Sequence, residues 1–132
     1  MPSNDQIINS VLDQITMGKP LQPNGRAKFS VNGTIIHVRY CRPPKTGKPL
    51  YKFNINPNTL TADYELWICG NINSYYLIPR ETIEQMYKDP EAYVDRHHEE
   101  IRIISVNAKN ESATYARKGK SLDLKQYFKT TV

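Results

Sequence analysis

The sixteen residues Arg26-Ala27-Lys28-Phe29-Ser30-Val31-Asn32-Gly33-Thr34-Ile35-Ile36-His37-Val38-Arg39-Tyr40-Cys41 carry the reading of the fold. Polar and apolar positions alternate from Arg26 to Val31, which is the period of a strand with one covered face. Asn32-Gly33 follows. A type I′ turn needs positive φ at both central residues, so this dipeptide is the strongest short-range hairpin signal. Thr34 to Cys41 then resumes in β-branched and aromatic residues, and the stretch predicts two antiparallel strands joined by a tight turn.

Upstream, Ser3-Asn4-Asp5 offers caps and Ile7, Ile8, Val11, Leu12 and Ile15 recur at helical spacing until Gly18 and Pro20, which predicts a first helix over 4–17. Downstream, the basic loop Arg42 to Pro49 leads to a third strand, Leu50 to Ile55, stopped by Asn56-Pro57-Asn58. Asp63 to Cys69 and Ser74 to Ile78 read as a fourth and fifth strand around the turn Gly70 to Asn73. A second helix is expected from Arg80 or Glu81 through Ile83, Met86 and Tyr87 to Asp89-Pro90, then a short helical segment from Glu91 to Arg96. Ile101 to Val106 reads as a last strand, and Ser121 to Phe128 as a final amphipathic helix capped by Ser121. The expectation is one α+β domain of 132 residues: a central mixed or antiparallel β-sheet flanked by helices, with a β-rich core over 26–78 and a helical and strand part over 80–132.

The net charge is +5, and its distribution is uneven. Between Asp13 and Asp63 there is no acidic residue, while Lys19, Arg26, Lys28, Arg39, Arg42, Lys45, Lys48 and Lys52 supply eight positive charges; the remainder holds ten basic against thirteen acidic residues. All of the excess belongs to one segment. Such a segment suits a polyanion, and the loop Arg42 to Pro49 puts three cations on one exposed turn where Arg forks onto phosphate and Lys acts as a point charge. The competing role is a solvated loop that keeps a sheet edge soluble.

Nucleophile, dinucleotide and phosphate-loop motifs are absent, which removes the common hydrolase and cofactor classes. Cys41 and Cys69 lie in apolar strands with no second pair at zinc spacing and read as a reduced buried pair. His97-His98 beside Glu99-Glu100 reads as a solvated end, because adjacent side chains diverge. Trp67 reads as core, at most one of Tyr75 and Tyr76 faces a groove, and Arg117-Lys118-Gly119-Lys120 reads equally as a phosphate patch or a solvated loop. No window has the length of a membrane span and the first residues lack a signal-peptide pattern, so a cytoplasmic protein without a membrane partner is expected.

The hairpin residues 26–39, then Leu50-Tyr51-Lys52-Phe53-Asn54-Ile55, Ala62-Asp63-Tyr64-Glu65-Leu66-Trp67-Ile68-Cys69-Gly70 and Tyr75-Tyr76-Leu77-Ile78-Pro79, resemble the PD-(D/E)xK superfamily over residues 4–87. The resemblance implies a restriction-endonuclease-like core and Mg²⁺-assisted phosphodiester hydrolysis, in which two acids hold the metal and a Lys positions the attacking water. This chain departs from that pattern at its centre. The first acid would fall near Lys28 to Ser30 and the acid-x-Lys triplet on His37-Val38-Arg39, so neither strand has a carboxylate. Lys28, Arg39 and Lys52 alone cannot hold a dication, which needs hard oxygen ligands.

The candidate catalytic set is His37, Arg39 and Lys52, with His37 as general base and Arg39 stabilising phosphorane charge. The candidate metal ligands are Asp63 and Glu65, which share a strand face, with a cross-strand ion pair as their competing role. Lys28, Arg39, Arg42, Lys45, Lys48 and Lys52 are the candidate nucleic-acid contacts. The expected function is binding of DNA, double-stranded by preference, by a variant or degenerate endonuclease domain, with Mg²⁺ if it is active and a homodimer if it cuts both strands. The alternative is a non-catalytic protein-interaction or regulatory module.

Overall fold

The computed structural model describes residues 2–132. Helix α1 (Asn4–Thr16) begins with a capping box: Ser3 Oγ accepts from the Gln6 N–H at 3.2 Å and Gln6 Oε1 accepts from the Ser3 N–H at 2.7 Å. It ends where Met17 and Gly18 turn to positive φ and Gly18 N–H reaches back to Asp13 O. Strand β1 (Gln22–Pro23) is a two-residue edge, and β2 (Lys28–Val31) and β3 (Thr34–Cys41) form the expected hairpin, with Asn32 at φ 50° and Gly33 at φ 83° as the turn requires.

The chain then leaves this sheet. Strand β4 (Leu50–Ile55) and a single 3-10 turn (Pro57–Thr59) form a crossover, after which β5 (Tyr64–Cys69) returns parallel to β3, with His37 opposite Glu65 and Arg39 opposite Trp67. Strand β6 (Tyr75–Pro79) pairs antiparallel with β5 and runs directly into α2 (Arg80–Lys88). The last three strands are β7 (Arg102–Asn107), β8 (Ser112–Ala116) and β9 (Lys120–Asp123). The first sheet has the order β1-β2-β3-β5-β6 and the second β4-β7-β8-β9.

The α+β class holds, but a single sheet flanked by helices does not describe the layers. One face of the first sheet is covered by α1, whose Ile7, Val11, Leu12 and Ile15 meet Val31, Ile36, Val38, Leu66, Ile68 and Leu77. Its other face is covered by the second sheet: Tyr51, Phe53, Ile55, Ile104 and Val106 pack on Trp67, Cys69, Tyr76 and Ile78, and α2 adds Ile83 and Met86. Trp67 stacks on Phe53 across the interface, ring centroids 4.7 Å apart and 8° from parallel. Strands β5 and β6 are therefore buried on both faces, which is why their sequences run apolar without alternation, whereas β4 alternates exposed and buried as a one-sided strand does.

Two expected helices are absent. Residues 91–96 instead bridge the second sheet through Ala92 to Ala116 and Val94 to Arg102, since six residues make too few helical bonds to offset nucleation when strand partners are in reach. Ser121 is not a helix cap but a β9 residue opposite Thr114; Leu122 and Leu124 follow the strand period, and only Lys125–Tyr127 turns as a 3-10 helix. Burial and the neighbouring Cys41 push the Cys69 thiol up to about 12, so it is a packing group and an unreactive one. No helix among the described residues is long and apolar enough to cross a membrane.

The end of α2 is tied to β9 by Lys120, whose ammonium lies 3.1 Å from both Asp89 and Glu91. The Glu91 backbone N–H, and then Lys120, hold the Asp89 carboxyl below its usual range. A depressed acid stabilises the fold above its unfolded pKa and ceases to do so as pH falls through its lower folded value. We expect the melting temperature of the parent protein to fall more steeply than that of Asp89→Asn as pH drops from 6 to 3. Parallel profiles would show that this contact adds nothing.

Candidate functional site

Alternation along β3 sends Ile36 and Val38 toward α1 and His37 and Arg39 to the opposite face. Register brings Lys28 of β2 opposite His37 and Glu65 of β5 to its other side, so a basic, an aromatic and an acidic side chain line up across three strands. Toward β6 this same face is apolar and covered by the second sheet. Beyond the edge of β4 it is polar, and there it forms the floor of a cleft of about 450 Å³ between the Asn24–Lys28 turn, His37, Arg39, Asn56 and Thr59.

Glu65 is 1% exposed, and its carboxylate is fully engaged. Oε2 meets His37 Nδ1 at 2.8 Å; Oε1 accepts from Arg39 Nε at 2.8 Å and from Trp67 Nε1 at 3.4 Å. A carboxylate only accepts, so the network assigns the hydrogen to Nδ1 and leaves Nε2 as the free ring nitrogen of His37. Arg39 also reaches the crossover: Nη1 donates to Asn54 O and Nη2 to Thr59 Oγ1, both at 2.8 Å. Arg39 therefore fastens the first sheet to the end of β4, and all three of its nitrogens are committed to the protein. Its chemistry here is positioning. His37 is the group with unspent capacity.

The structure separates the candidate residues into two places. Lys28, His37 and Arg39 share the cleft, where Lys28 Nζ bonds Thr61 Oγ1. Lys52 does not join them: it lies on the outer, exposed side of β4, because Tyr51, Phe53 and Ile55 take the inner side. With Arg42 and Lys48 it lines a second hollow of about 400 Å³ at the base of the basic loop, whose Lys45 is fully in solvent. Along β4 the two basic regions are about 13 Å apart, four residues from Lys52 to Asn56 at the usual strand rise.

Asp63 and Glu65 are not a pair of ligands. Asp63 is exposed, and its Oδ2 accepts the Ile35 N–H at 2.8 Å, while Glu65 is the cross-strand ion pair its spacing allowed. Mg²⁺ does not fit this donor set. Both Glu65 oxygens already hold donors, and Arg39 and Lys28 would repel a dication at the one buried carboxylate. Among the described residues no three His, Cys, Asp or Glu side chains cluster at metal distance.

Trp67 and Tyr76 are core residues, and Tyr75 packs on the α1 side with its hydroxyl on Gln14. His97 and His98 are exposed in a turn held by Asp95. Lys118 and Lys120 are turned to Glu91 and Asp89, so the second basic patch is largely neutralised by the protein's own acids. The sequence reading missed the engagement of Glu65 by His37 and the contributions of Asn24, Asn56 and Thr59. Only the parallel register of β3 on β5 brings these together, and no local motif announces it.

Replacing Glu65 by Gln should lower unfolding free energy by about 2–4 kcal/mol in urea titration, since Arg39 loses its counter-charge in a half-buried setting. Adding Arg39→Met to that variant should recover part of the loss, because the orphaned charge leaves with it. A single-variant change under about 0.5 kcal/mol would contradict the role given to Glu65. No protein-family model, curated protein or solved structure matches this chain.

Proposed function

We propose that the protein binds nucleic acid, double-stranded DNA by preference, through the phosphate contacts of its acid-free segment, as a non-hydrolysing variant of a restriction-endonuclease-like core. The observation that carries this reading is the group of seven cations without a carboxylate partner in a segment that holds no acid. Arg39 is the one cation of the segment with a carboxylate at ion-pair distance; Lys19, Arg26, Lys28, Arg42, Lys45, Lys48 and Lys52 have none among the described residues. The other ion pairs lie outside the segment, at Arg80, His98, Lys118 and Lys120. Outside the segment thirteen acids offset ten basic residues and pair directly with Arg80, Lys118 and Lys120, whereas within it no acid stands against the seven unpaired cations, an excess suited to an external anion.

Further support for the core comes from element order: a helix, a hairpin and a strand parallel to the hairpin's second strand. The missing metal ligands favour binding over hydrolysis. The same reading takes the protein as cytoplasmic, in keeping with two free cysteines, and as a monomer or homodimer on DNA.

A second reading, a protein-interaction module, has its own observation. A mostly apolar hollow of about 500 Å³ lies beside the start of α1, lined by Pro2, Ile7, Tyr40, Pro43 and the exposed Ile72. Salt separates the two readings. Six phosphate contacts from Arg26, Lys28, Arg42, Lys45, Lys48 and Lys52 give a slope of log affinity on log salt of about −5, or about a thousandfold loss between 50 and 200 mM. Lys45→Gln should reduce the slope by about 1 at unchanged fold. Affinity for a short duplex that is flat in salt, or unaltered by Lys45→Gln, would overturn the proposal.

A further inference from the structure

The cleft over His37 differs from the basic loop in being recessed. Its floor is His37, 7% exposed, and Arg39, whose side chain is 20% exposed, with Lys28 half-buried at the wall and Arg26 at the rim. One carboxylate, Glu65, faces three guanidinium or ammonium groups, so the lining has a net positive charge before His37 is counted. The other donors are also unspent. The side-chain amide nitrogens of Asn24 and Asn56 and the backbone N–H groups of Gly25, Arg26 and Ala27 have no partner, and His37 Nε2, an acceptor in this tautomer, is free as well. A site with many donors, no free acceptor charge and a volume of about 450 Å³ is complementary to a small, multiply charged oxyanion.

We propose that this cleft is a binding site for a terminal phosphomonoester, the phosphorylated end of a nucleic acid strand. The inference rests on the reading of the protein as a nucleic-acid binder and adds to it which group enters the cleft. A continuous duplex presents its phosphates on a convex cylinder and touches the protruding Lys45 and Arg42; a strand end can place its phosphate on the floor. A monoester at neutral pH carries about 1.5 to 2 negative charges against one for a diester, so a recessed cationic floor favours the end over the middle of a strand. In the bound arrangement Lys28 and Arg26 supply charge, His37 Nε2 accepts the hydrogen of the P–OH group that a monoester's monoanion carries and a diester lacks, and Arg39 holds Glu65 in place. The role of Glu65 is to hold the imidazole ring with Nδ1 turned inward, so that the free nitrogen is the one at the cleft.

The test compares one short oligonucleotide with a 5′-phosphate, a 3′-phosphate or neither, bound to the full chain in the presence of EDTA, with inorganic phosphate and a nucleoside monophosphate as competitors. The expected result is at least about tenfold tighter binding of one phosphorylated form than of the unphosphorylated strand. Competition by the monophosphate at concentrations that leave the unphosphorylated strand bound would locate the preference in the cleft. His37→Asn keeps a donor that can reach Glu65 and deletes Nε2. It should bring the ratio to within about threefold of unity while the unphosphorylated strand binds as before; Lys28→Gln should lower the ratio to the same extent while weakening every strand by the loss of one phosphate contact.

Equal affinities for all three strands would overturn the inference and leave the nucleic-acid reading standing; absence of binding to any strand would overturn both. A preference that survives both variants, or that inorganic phosphate and the monophosphate do not compete away, would place the end elsewhere and refute the assignment to the cleft.

Discussion

The buried carboxylate of Glu65 is the contact on which the functional half of the molecule depends. It is the only acid at the floor of the cleft. Through Arg39 it connects β5 to the crossover at Asn54 and Thr59; through His37 it selects which ring nitrogen meets solvent; through Trp67 it joins the inter-sheet core. A single buried charge of this kind is costly to desolvate and is stable only when its lone pairs are taken. Here they are, by three donors from two strands. Without it, two basic side chains would sit on one face of β3 with nothing to fix their direction.

Set beside the metal-dependent nucleases that the sequence resembles, the distribution of acid and base on these strands is the reverse. Acids hold the metal in such enzymes and a basic residue serves the water. In this chain β3 offers the basic residues and β5 the one acid, which is consumed in orienting them. The proposed ligand of the resulting cleft is accordingly the phosphate itself and not a cation that would bridge to it. Acids on the C-terminal half close on Lys118, Lys120 and Arg80, whereas among the N-terminal cations Arg39 alone has a carboxylate partner. The layers keep the two populations apart, since the basic loop and cleft flank β4 and the neutralised pairs tie α2 to β9.

The N-terminal half of the fold was legible because its signals are local. Ser3 and Gln6 cap α1, Asn32-Gly33 turns the hairpin, and Pro79 marks the passage into α2. The C-terminal half was less so. Leu124, Tyr127 and Phe128 fit a helix face while Leu122 and Leu124 fit a strand face over the same eight residues, and the partner that decides, β8, is made of the polar stretch Ser112-Ala113-Thr114-Tyr115-Ala116. Lys118 at φ 62° and Gly119 at φ 70° form the turn between them, a weaker signal than Asn-Gly. The transfer of β4 to a second sheet was also out of reach, although its strict alternation beside the unbroken apolar runs of β5 and β6 was a usable hint. At the site, the residue types were visible and their grouping was not. Lys52 and His37 are fifteen positions apart in a plausible motif, yet the parity of β4 turns Lys52 to the far side of the second sheet, and Glu65 reaches His37 only through a parallel register.

The central claim is that the acid-free segment is the surface that meets nucleic acid. Backbone amide chemical-shift mapping of the labelled protein during titration with a short DNA duplex tests it most directly. The expected perturbations are concentrated at Arg26, Lys28, Arg42, Lys45, Lys48 and Lys52, fading as salt is raised, with Lys118 and Lys120 unmoved. Perturbations confined to the apolar hollow around Ile7 and Ile72, or to the Lys118–Lys120 turn, or none at saturating DNA, would contradict it.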